Sequence, residues 1–77
     1  MQVGSLIITA SDLSDKVNVF IEPIAAQHSF WVFNGTYGIV LEVGDPKNGT
    51  YYGELLVLFH NGKYGWTPRV HLREIVL

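Results

Sequence analysis

Three histidines, at positions 28, 60 and 71, are the residues best suited to hold a metal. Ligands of a zinc site usually come in pairs a few residues apart, and separations of 32 and 11 residues fit no such pattern. The chain has no cysteine, which removes thiolate ligands and disulfides together. Nor does it carry a Gly-x-Ser-x-Gly elbow, a phosphate-binding loop or a His-Glu-x-x-His helix. One acid pair, Glu42 and Glu54, lies on neighbouring strand-like runs. A chain of 77 residues offers little concave volume for a substrate, and ordinary cross-strand placement accounts for both carboxylates. No enzymatic activity, metal or cofactor is expected.

What remains is the chemistry of binding. Tyr51, Tyr52, Tyr64 and Trp66, with Pro68, could line a groove, because aromatic faces suit polyproline segments and methylated ammonium groups alike. The competing use of such side chains is core packing. Lys47, Lys63, Arg69 and Arg73, interleaved with Tyr52 or Trp66, are the elements of a single-strand nucleic-acid groove. Against this stands the charge: 5 Lys and Arg face 7 Asp and Glu, net −2, where phosphate binding needs a basic face.

The elements that must position these residues are strands. The strongest signal is the run 51–60, then Asn61-Gly62, then 63–68, a hairpin whose Asn-Gly pair suits a type I′ turn. Residues 2–9 form a first strand and 36–43 another, with Ile39, Leu41 and Val43 on one face. Residues 44–49 carry turn chemistry at nearly every position. Pro68 cannot continue a central strand, so 68–72 reads as a 3₁₀ turn, and 73–77 closes as a last strand. Residues 10–34, with a second turn pair at Asn34-Gly35, read as one long excursion of two irregular strands folded back as an arm. Five short strands plus this arm close into a small barrel, which removes exposed sheet edges. Its core is expected to contain Leu6, Ile8, Ile39, Leu41, Leu55, Val57, Trp66, Leu72 and Ile75.

At Gly65-Trp66-Thr67-Pro68-Arg69-Val70-His71-Leu72 the chain resembles the end of an SH3 domain, where Gly, an aromatic, any residue and Pro lead through a 3₁₀ turn. The Asn-Gly turn, Lys63, Trp66 and the tail Leu72-Arg73-Glu74-Ile75 are also similar to small stand-alone SH3-like barrels of the phage and environmental type. The resemblance covers the last 40 residues or so, more loosely the rest, and implies a five-stranded SH3-like barrel over 1–77 with the long arm 10–34 in the place of the large first loop. It further implies that Tyr51 and Tyr52 stand where SH3 domains carry a Trp pair and that His71 stands where they carry a groove Tyr. It places Asp12, Asp15 and Glu22 on the arm, where such domains present acids to basic ligand side chains. The Ala-Leu-Tyr-Asp-Tyr opening of peptide-binding SH3 domains is missing. SH3-like barrels host unrelated activities, so the resemblance implies a non-enzymatic binding or adaptor module, with a single-stranded nucleic-acid module of KOW type as the alternative.

The bulk numbers point to association. Domains this small usually need support beyond their own core, and here 48% of residues are hydrophobic, with ten aromatics among them. Phe20, Phe30, Trp31 and Phe33 on the arm are more large apolar groups than one irregular excursion can bury. A homodimer through these residues, or a protein partner, is expected. No apolar run is long enough to span a bilayer, and no basic segment precedes an apolar one near Met1, so a cytoplasmic protein without membrane contact is expected.

Overall fold

The computed structural model describes residues 1–21, 29–44 and 54–76. Among these, seven strands form one antiparallel sheet: β1 (Leu6–Thr9), β2 (Lys16–Phe20), β3 (Ser29–Phe33), β4 (Tyr37–Val43), β5 (Leu55–Phe59), β6 (Tyr64–Thr67) and β7 (Leu72–Glu74). Their order across the sheet is β3-β2-β6-β5-β4-β1-β7, with β3 and β7 at its two ends. The all-β class agrees with the sequence reading. The count of five strands and the closure into a barrel do not. Within the stretch read as an irregular arm, β2 and β3 pair over five registers, from Lys16↔Phe33 to Phe20↔Ser29. Among the described residues the sheet stays open, with β3 and β7 as its edges. A single 3₁₀ turn, Arg69–His71, follows Pro68 as expected, and no helix among the described residues is long and apolar enough to cross a membrane.

The hairpin between β5 and β6 lies where Asn61-Gly62 places it, but its turn is not type I′. That turn needs positive φ at both central residues, and no non-glycine residue described here has one. Instead the Gly62 N–H bonds the Phe59 carbonyl at 3.0 Å, the Phe59 N–H bonds the Lys63 carbonyl at 2.8 Å, and Gly62 alone is left-handed at φ 85°. This is a three-residue loop, a type I turn followed by a left-handed glycine. Asn61 contributes its side chain, whose Oδ1 accepts the Lys63 N–H at 2.9 Å.

The core consists of Ile7, Val17, Val19, Val32, Val40, Leu55, Val57, Phe59 and Leu72. Leu55, Val57 and Leu72 were expected there. Leu6, Ile8, Ile39 and Leu41 were not placed correctly: they lie on the opposite face, displaced by one residue from Ile7 and Val40. Leu6-Ile7-Ile8 and Ile39-Val40-Leu41 are apolar throughout, so alternation could not choose the face, and a one-residue slip inverts every side chain. Trp66 and Ile75 are half-buried. Among the described residues, three of the nine core residues come from β2 and β3, so these strands complete the core instead of lying outside a full one.

Gly65 shows how β2 docks on β6. A Cβ there would lie 2.5 Å from Val19 Cγ1 and 2.9 Å from the Phe20 carbonyl oxygen, so only glycine lets the strands approach. The turn between β3 and β4 is fixed from β1: Thr9 Oγ1 donates to the Phe33 carbonyl and accepts the Thr36 N–H, both at 2.9 Å. Asn34 holds the loop before β2, with Oδ1 accepting the Ser11 N–H at 2.9 Å and Nδ2 donating to the Ser11 and Ser14 carbonyls.

Candidate binding surface

β3 closes one end of the strand order, and its side chains alternate cleanly. Val32 is buried and Phe30 half-buried, while Trp31 and Phe33 are 45% and 60% exposed on the other side. Their rings meet edge to face with centroids 4.8 Å apart, the favoured aromatic geometry. Lys16 on β2 lies over Trp31, its Nζ 4.3 Å from the ring centroid, within cation–π range. The backbone is aligned for use as well. The Asn34 N–H bonds the Asp15 carbonyl, which makes Lys16↔Phe33 and Asn18↔Trp31 the non-hydrogen-bonded pairs of an alternating ladder. The N–H and C=O of Trp31 therefore point away from β2. Between β3 and the β5–β6 turn lies an open cleft of about 630 Å³, lined by Phe30, Trp31, Phe33, His60, Asn61 and Lys63 among others.

The residues expected to make one groove divide between several places. Pro68 and His71 do come together, in a cleft of about 300 Å³ with Leu13, Lys16, Asn18 and Phe20. Asp12 belongs to the adjoining concavity beside His71 and Arg73, and its Oδ1 lies 4.0 Å from Arg73 Nη2. Tyr64 is elsewhere, in a cleft with Ile21, Phe30, Gly62 and Lys63. Trp66 is half-buried on β6 between its register partners Phe20 and Leu56. Asp15 is exposed and contributes its backbone carbonyl to Asn34. Tyr51, Tyr52, Glu22, His28 and Lys47 lie outside the described residues.

The described cations do not converge. Arg69 Nε lies 3.4 Å from Glu54 Oε2, Arg73 faces Asp12, and Lys63 Nζ stands 5.4 Å from the Phe30 ring centroid. Glu42 and Glu54 do not oppose each other, since the register partner of Glu42 is Leu56. Among the described residues no three His, Asp or Glu side chains are grouped to hold a metal ion. Of the four arm residues expected at an interface, Trp31 and Phe33 point outward while Phe20 and Phe30 are half-buried. The cleft beside β3 was missed by reasoning from sequence, although the alternation Ser29, Trp31, Phe33 carried the signal. No known protein-family model, curated protein or solved structure matches the chain.

Proposed function

We propose that the protein is a non-enzymatic binding module on an SH3-like barrel, making protein–protein contacts, with its own copies included, in the cytoplasm. The fold half of this reading is supported by the chain order. β4, β5 and β6 form a meander, β1 lies between β4 and β7, a 3₁₀ turn joins β6 to β7, and the β2–β3 hairpin occupies the first long connection. The single observation that carries the binding half is Trp31. It is an exposed indole on a terminal strand, with its backbone N–H and C=O turned outward beside a wide cleft. An extended segment laid along β3 would gain ladder hydrogen bonds from that backbone and aromatic burial from Trp31 and Phe33.

Selection of displayed random peptides against the intact protein tests this. Selected peptides should bind at least tenfold more weakly to Trp31→Ala and to Phe33→Ala, with circular dichroism unchanged. A selection that yields nothing above background, or peptides indifferent to both substitutions, would overturn the reading. The placement of Lys16 over Trp31 and of Lys63 near Phe30 favours a second reading, a single-stranded nucleic-acid surface. Oligo-dT and oligo-U titrations at rising salt separate the two, because phosphate-driven affinity falls steeply with ionic strength.

A further inference from the structure

Over β1, β4, β5 and β6 the face of the sheet opposite the core is mainly apolar, and its residues fall into three rows running across the strands. The middle row follows the registers Leu6↔Ile39, Ile39↔Leu58 and Leu58↔Tyr64 without a polar residue except the Tyr hydroxyl. One flanking row holds Arg73, Ile8 and Tyr37 with His60, whose N–H bonds the Tyr37 carbonyl at 2.9 Å. The other holds Glu42, Leu56 and Trp66, with Leu41 added by the bulge between Val40 and Glu42. Leu6, Leu41 and Leu58 stand between 37% and 43% exposed, and Tyr37 and Tyr64 are 55% and 64% exposed. With the half-buried members of the rows, this is roughly 600 Å² of apolar surface, at about 150–250 Å² for a whole aromatic side chain. The largest apolar patch on a typical monomer is about 300–600 Å², and each side of a standard protein interface is about 800 Å².

We infer that this face is covered by the same face of a second copy, in a two-fold dimer with its axis along the middle row. The charges on the face select that partner. Glu42 stands in one flanking row without an ion pair among the described residues. In the other, Tyr37 and His60 stand as exposed donors on β4 and at the end of β5, while Arg73 at the β7 end already faces Asp12. A two-fold axis in the interface, perpendicular to the strands and over the middle row, lays each flanking row on the opposite one of the partner. Each Glu42 carboxylate then meets the hydroxyl of Tyr37 and the ring N–H of His60 across the interface, twice by symmetry. Leu6, Ile39 and Leu58 pack on their own counterparts, as the inner faces of two aligned sheets do. This dimer takes up the self-association part of the proposed function; it shares His60 with the cleft beside β3 but does not use Trp31 or Phe33, so either can fail without the other.

Sedimentation equilibrium of the intact protein from 5 to about 200 µM, a range that covers ordinary homodimer affinities, reads the result. The wild type should sediment as two chains and Leu58→Glu as one. Trp31→Glu should remain a dimer. Glu42→Lys and His60→Glu should each weaken association at least tenfold, and the two together should restore it, which keeps the test open should Leu58→Glu fail to fold. A wild type of one chain throughout overturns the dimer. So does a dimer that survives Leu58→Glu, or one in which the double variant is no better than the singles. Dissociation by Trp31→Glu also overturns it, assigning self-association to β3 and leaving the binding reading intact.

Discussion

Two buried threonines show how much a hydroxyl depends on its neighbours. Thr67 is fully buried and its Oγ1 has no hydrogen-bond partner, while Thr9, nearly as buried, uses its Oγ1 twice. A buried polar group without a partner costs about 1–3 kcal/mol, and replacing it by an apolar group of the same shape removes that cost. Thr67→Val is therefore expected to stabilise the fold by about 1 kcal/mol, since valine keeps the β-branched shape. Thr9→Val should destabilise it by about 1–3 kcal/mol, because the buried Thr36 N–H loses its acceptor. Urea midpoints give the answer: shifts of the same sign in both variants would show that the hydroxyls are not placed as described. Neither threonine could be singled out from sequence, because each is identified only by the face its strand turns inward.

Strand positions were readable because β-branched and aromatic runs end at Asn-Gly and Pro signals, and those signals are local. Which side of a strand faces inward was not, wherever three apolar residues follow one another, as at Leu6-Ile7-Ile8. The β5–β6 loop was readable in place and not in type. The turn chemistry fixed where the chain reverses, while the strand pairing Phe59 to Lys63 fixed the loop length. Gly62 at φ 85° has open space around it, so the cost of a substitution there is conformational and not a clash. Gly62→Val should lower stability by about 1 kcal/mol or more, as a β-branched residue is strained in the left-handed region. Thermal unfolding of the variant at the parent temperature would contradict the loop geometry. Asn34 taught the opposite lesson: its pairing with Gly35 announced a turn, and nothing announced that its side chain would hold residues 11 and 14.

For the molecule as a whole, the antiparallel class was visible in the spacing of short strands, and the integration of the 10–34 segment was not. Long-range pairing such as Ile7↔Glu74 leaves no local trace. The candidate surface fared likewise. Phe20, Phe30, Trp31 and Phe33 were expected together at an interface, but Phe20 and Phe30 are half-buried, and the cleft beside Trp31 and Phe33 is made by His60 and Asn61 from a turn far along the chain. Such topology also sets the speed of folding, because loop-closure entropy must be overcome before distant strands reward it. Refolding followed by tryptophan fluorescence after rapid dilution from urea should take milliseconds to seconds. Completion within microseconds would be incompatible with this strand order.

The place of β1 between β4 and β7 has a consequence during synthesis. Ile7 leaves the ribosome early, but Glu74, its register partner on β7, follows only after several seconds at about 5–20 residues per second. Once β4 has been made, β1 has it on one side and an open edge on the other until β7 arrives, so neighbouring nascent chains on the same message can offer it a strand before its own. The short length of β1, only Leu6–Thr9, limits how firmly such a stray pairing could hold.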